Sequence, residues 1–162
     1  MRGQYILNPD GTCPEVLPNT VPNEGEVAFL KMLLRGDASF VVSGGNFYVG
    51  LTDVSPVDSL TLSGAAAGEP TSQGGYARQA ITRDTAGWPT LRSVNGENSI
   101  RSAPATFSAS GADFSKSITR AFLTDTLSGT SGTLFSISAA LASGQTVTDG
   151  NTLPISYELY LY

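Results

Sequence analysis

Apolar and polar positions alternate in short blocks over most of the chain, with Gly, Ser, Pro and Asn between the blocks. The clearest block is the last one. Ile155, Tyr157, Leu159 and Leu161 fall on one side, and Ser156, Glu158, Tyr160 and Tyr162 on the other. A repeat of two predicts a half-buried β-strand. Phe47 to Thr52 reads as a strand after the Ser43-Gly44-Gly45-Asn46 turn, and Tyr76 to Arg83 as the next. Further strands are expected within 99–109, at 118–125 and at 133–141, and a Pro/Gly/Ser-rich loop over about 53–75. Short strands joined by turns, without alternating helices, predict a mainly β fold: an antiparallel β-sandwich or jelly-roll-like domain.

One helix is predicted ahead of these strands. In Asn23-Glu24-Gly25-Glu26 a capping residue stands three positions before a Glu, as in a capping box. Helix formers follow through Leu34, Lys31 and Arg35 suit the C-terminal end, and Gly36 offers a left-handed stop. Val27, Leu30 and Leu34 share one face, with Phe29, Met32 and Leu33 beside it. With so much apolar surface, one side should pack on the sandwich and another should meet the arm or a partner chain. Before the helix, Pro9, Pro14, Pro18 and Pro22 forbid helical structure over 1–22 and disfavour a central strand. That stretch is expected to be an extended arm, able to reach on the order of 70 Å. A floppy leader, or a strand laid along its own domain, is the alternative. The domain proper would then run from 23 to 162.

Composition narrows the function. Charged residues make up only 14% of the 162, against roughly 25% in an average soluble domain. Such a surface suits cover by neighbours. The net charge of -5, without any basic cluster, argues against nucleic acid. No apolar run approaches the roughly 20 residues of a membrane span, and the first residues lack the apolar core of a signal peptide, so synthesis in a cytosol is expected. The chain has no His and a single Cys13, which removes the usual base for a nucleophile, most metal sites and any internal disulfide. Asp53 and Asp149 lie in turn-rich stretches that could offer oxygen ligands to calcium, yet Asp149-Gly150 is first of all a turn dipeptide. Arg35-Gly36-Asp37 spells an adhesion tripeptide where helix termination already explains Arg and Gly. No cofactor, metal or catalytic residue is assigned.

The order of segments is similar to something known. Asn23 to Leu30 opens a helix, Phe47-Tyr48-Val49-Gly50-Leu51-Thr52 a strand, and Gly74-Gly75-Tyr76-Ala77-Arg78-Gln79-Ala80 follows a variable loop, before Ala105-Thr106-Phe107 and Ile118-Thr119. This resembles a family of small tailed-bacteriophage virion proteins described as phage tail fibre proteins. The resemblance covers about residues 23–161, and the Gly-Gly-Tyr-Ala-Arg-Gln-Ala heptad is its most specific part. It implies a β-sandwich with a structural role and no catalysis. Two stretches depart from the pattern: the proline-rich arm, and 88–101, which looks like an insertion. Within the heptad, the glycines allow a tight turn, Tyr76 is expected at the sandwich edge, and Arg78 on a polar face.

The expected activity is therefore assembly, in a tail or tail fibre, anchored by the arm. A head decoration or cement protein is the alternative, and a carbohydrate-binding sandwich a remoter one. The partners expected are other virion proteins and further copies of the chain, in a virion assembled in the bacterial cytoplasm. The candidate partner-binding residues are Tyr5, Ile6, Leu7, Val16, Leu17 and Val21 of the arm, Phe29 of the helix, and Tyr160 and Tyr162 near the C-terminus.

Overall fold

The computed structural model describes residues 4–6, 15–17, 19–30, 45–94, 97–141 and 143–161. Eleven strands and two α-helices are present among them. In chain order these are β1 (Gln4–Ile6), β2 (Glu15–Leu17), β3 (Asn19–Thr20), α1 (Asn23–Leu30), β4 (Asn46–Thr52) and α2 (Leu62–Ala67). Then follow β5 (Gln79–Thr82), β6 (Thr90–Val94), β7 (Glu97–Arg101), β8 (Ala105–Ser108), β9 (Arg120–Thr124), β10 (Leu134–Ser138) and β11 (Thr152–Leu161). All strand pairs are antiparallel. One sheet runs β2-β1-β11-β7-β6, with β8 also on β11; the other runs β3-β10-β9-β4-β5.

Alternation along the strands builds the core between the sheets. Val49 and Leu51 of β4, Ile81 of β5, and Ala121 and Leu123 of β9 meet Phe107 of β8 and Ile155 and Tyr157 of β11. The Tyr157 hydroxyl crosses the sandwich to donate to the Ala121 carbonyl at 3.1 Å, so its one polar atom is satisfied at full burial. The mainly β sandwich is as the sequence predicts.

A third layer covers the outer face of the second sheet. Phe122, Leu134 and Ile137 point away from the inter-sheet core and pack with Leu60, Leu62 and Ala65. Residues 134 and 137 are three apart, so strict period two cannot put both outside; the register of β10 against β9 shifts between Leu134 and Ser136. The covering element is α2, within the stretch expected to be only a loop. Six residues containing a Gly carry little helix signal. Here Thr61 caps the helix, its Oγ1 accepting from Gly64 N at 3.4 Å. Thr52 Oγ1 donates to the Ala65 carbonyl at 2.8 Å, and Glu24 Oε2 accepts from Leu62 N at 3.3 Å. Tertiary contacts therefore hold α2, and the single expected helix becomes two.

Other expectations change in detail. Helix α1 begins at Asn23, and Glu24, not Glu26, reaches across to another segment. Its buried side is Gly25 and Ala28, whereas Val27 is 47% exposed. Gly25 is needed for close approach, since a Cβ there would run into the Phe135 carbonyl. The expected continuation through Leu34 to Gly36, and the Arg35-Gly36-Asp37 tripeptide, lie outside the described residues. Residues 155–158 of β11 are all buried, so this part of the strand is not half-exposed. The 88–101 stretch contributes the β6–β7 hairpin to the first sheet. The proline-rich stretch lies along both sheets where described: β1 on β11, β2 on β1, and β3 on β10.

Candidate functional site

Two features stand out from the packing: a buried polar cluster beneath an exposed loop, and an apolar groove at one end of the sandwich. The cluster begins with the Gly-Gly-Tyr-Ala-Arg-Gln-Ala heptad, residues 74–80. Gly74 and Gly75 both take positive φ, 68° and 77°, and a Cβ on Gly74 would lie 2.5 Å from the Ala112 carbonyl oxygen. This turn sends Tyr76 into the core, where its ring stacks on Phe107 at 6.1 Å and meets Phe114 edge-on at 5.5 Å. The Tyr76 hydroxyl accepts from Leu51 N at 2.9 Å and donates to Glu69 Oε1 at 2.7 Å. Burial, and then the Glu69 carboxylate, push the Tyr76 phenol well above its ordinary value of 10.0, so it stays a neutral donor.

Arg78 is 4% exposed, not on the polar face that simple alternation predicts. Its Nε and Nη2 donate to the two oxygens of Glu69, at 2.9 and 2.7 Å. Two further donors reach carbonyls, Nη1 that of Thr126 at 3.0 Å and Nη2 that of Gly129 at 2.8 Å. Its guanidinium also lies 5.2 Å from the centre of the Phe122 ring. Burial of a guanidinium requires a counter-charge and hydrogen-bond acceptors, and this site supplies a carboxylate and two carbonyls. The chemistry is that of a brace: it fixes the exposed loop 127–132 from below.

The groove has a volume of about 460 Å³. Phe29, Phe47, Trp88, Leu91, Ile100 and Leu159 form its apolar lining. Phe47 is its pivot, edge-on to Trp88 at 6.1 Å and to Phe135 at 5.3 Å. Arg83 and Asp84 stand exposed at the rim. The Arg83 guanidinium lies 5.6 Å from the Phe47 ring centre. Asp84 Oδ1 accepts from Thr82 Oγ1, Ala86 N and Gly87 N at 2.7, 2.9 and 2.8 Å. Those bonds, the one from Gly87 first, hold the Asp84 carboxyl below its ordinary value.

The structure distributes the candidate partner-binding residues over several places. Tyr5 and Ile6 pair through the backbone with Ser156 and Ile155, and Val16 and Leu17 with Tyr5 and Gln4. Val21 is half-buried between β3 and α1. Phe29 is half-buried, its ring 5.3 Å from that of Phe135, and it reaches the groove. Tyr160 pairs with Ser99 across β11 and β7. Leu7 and Tyr162 lie outside the described residues. Among the described residues of this set, Phe29 lines the groove. Sequence reasoning missed Phe47, Trp88, Leu91, Ile100 and Leu159, which come from four separate elements and a loop; the lone Trp88 inside an apparent insertion was the available signal.

Asp53 and Asp149 are engaged otherwise than in a metal site. Asp53 faces Lys116 at 3.5 Å, and Asp149 Oδ1 accepts from Gly111 N at 2.8 Å, next to Gly150 with its positive φ. Among the described residues, no group of three or more acidic or Cys side chains could hold a metal ion, and no helix is long and apolar enough to cross a membrane.

No curated protein matches this chain. The model of the family "Podophage GP4 fiber I protein gp80" matches residues 21–158, from just ahead of α1 into β11, so the chain belongs to this family of phage fibre-type structural proteins.

Proposed function

We propose that the protein is a non-enzymatic structural module of a tailed-phage virion, built into the tail or a tail fibre through residues 1–22. The family match over residues 21–158 carries the structural, fibre-associated part of this reading, and the apolar residues of 1–22 support the anchoring. The low charge of the chain supports it, because surfaces meant to be covered need few solvated groups. Tyr5, Ile6, Leu7, Val16, Leu17 and Val21 supply apolar contacts to neighbouring virion proteins, with Phe29, Tyr160 and Tyr162 as further anchors. Strands as short as β1 and β2 are suited to exchange between their own sheet and that of a neighbour, since few hydrogen bonds hold them. Assembly takes place in the host cytoplasm.

Deleting residues 1–22 tests the reading. The described core draws on residues from Ala28 to Tyr157, so the truncated chain is expected to fold and to melt as one unit. Its incorporation into particles is expected to fail. Density for the full chain in a cryo-EM reconstruction is expected in the tail; density on the head shell would replace this reading with head decoration. Normal incorporation of the truncated chain would remove the arm from the assembly role.

A further inference from the structure

The first sheet ends at β6, which among the described residues pairs only with β7. Natural sheet edges are blunted by Pro, bulges or several charges. The edge Thr90-Leu91-Arg92-Ser93-Val94 has no Pro and one charge, and its Leu91 is 79% exposed, far beyond the usual for a large apolar side chain. Across the strands, Leu91 stands opposite Ile100, and Ile100 opposite Leu159. These three form a lateral apolar row along one wall of the groove, and the row ends at β6, the last strand of the sheet among the described residues.

The surface carries its own complements. A protruding Leu91 adjoins an apolar recess, and a cation, Arg83, adjoins an anion, Asp84, at the rim. A patch that matches itself under a two-fold rotation must hold both members of each pair, and this one does. We infer that this face docks a second copy of the chain: two β6 edges pair antiparallel, the Leu159–Ile100–Leu91 row continues into that of the mate, and Arg83 of each copy faces Asp84 of the other.

This deepens the assembly reading, but its experiment needs no virion component, so its failure would leave that reading standing. Full-length protein is examined by native mass spectrometry and sedimentation over a concentration series, with the emission of the single Trp88 followed in parallel. A dimer is expected, with a blue shift of Trp88 emission as it forms. Leu91→Asp, at an exposed position, is expected to leave the melting temperature unchanged and to weaken the dimer at least tenfold. Arg83→Glu, which sets carboxylates against each other, is expected to weaken it too. Leu127→Asp, also exposed but outside the groove, is the control and should dimerise normally. A monomer at every concentration, an odd-numbered oligomer, or a dimer indifferent to Leu91→Asp and Arg83→Glu would overturn the inference. So would a monomer whose Trp88 is already shielded by the chain itself, or responds to added oligosaccharides instead of to concentration.

Discussion

Arg78 and Glu69 face each other side by side, two nitrogens against two oxygens at 2.9 and 2.7 Å, with 2% and 14% of their side chains exposed. Removing one member leaves the other buried without its counter-charge. Arg78→Met is expected to cost on the order of 3–5 kcal/mol, measured by urea unfolding. Arg78→Lys should recover little, because an ammonium cannot reproduce the planar fork. The double variant Arg78→Met/Glu69→Leu should cost less than the sum of the two single changes. Strict additivity would show that the two side chains do not act as a pair.

The neighbouring glycines should respond differently to the same change. Gly74→Ala meets both a positive φ and the Ala112 carbonyl, while Gly75→Ala meets a positive φ with open space around it. The second should cost about 1–2 kcal/mol for the left-handed backbone alone. The first should cost clearly more, and equal losses in thermal unfolding would contradict the packing at Gly74.

Leu62 decides whether the third layer is structural. It is 1% exposed within α2. Leu62→Ala is expected to destabilise by about 2–5 kcal/mol, read from denaturant midpoints. A change near zero would mean that 53–75 acts as the plain loop suggested by its composition.

Glu24 gives the fold a pH signature. Partial burial raises its carboxyl above the ordinary 4.5, against the lowering effect of the backbone hydrogen bonds from Leu62 and Leu134. The folded chain therefore binds this proton more tightly than the unfolded chain. The ionised group costs stability above the raised value, and that cost disappears as pH falls below 4.5. Glu24→Gln, which keeps an acceptor for Leu62 N, should melt higher than the parent at pH 7. The gap should close in melts taken down to pH 4; a gap that widens on acidification would have the opposite sign to this linkage.

The sequence carries its information on local periodicity and loses what depends on distant partners. Phe47 to Thr52 was readable because Phe47, Val49 and Leu51 recur at period two, and β4 spans Asn46–Thr52. Helix α2 was not, because its cap, its Thr52 contact and its Glu24 bond come from three different segments. Arg78 was misassigned for a related reason. Alternation gives a side chain's direction, but only the partly buried Glu69 nine positions earlier makes the inward direction tolerable for a cation. Among the candidate partner residues, Phe29 could be found from its helix, while the rest of the groove joins residues far apart in the chain.

Arg78 holds the 127–132 loop by the carbonyls of Thr126 and Gly129, not by any side chain of the loop. Its grip is blind to what Leu127, Ser128, Thr130 and Ser131 carry outward. Those four positions can drift under selection, or accept a grafted epitope, while the footing of the loop stays where it is.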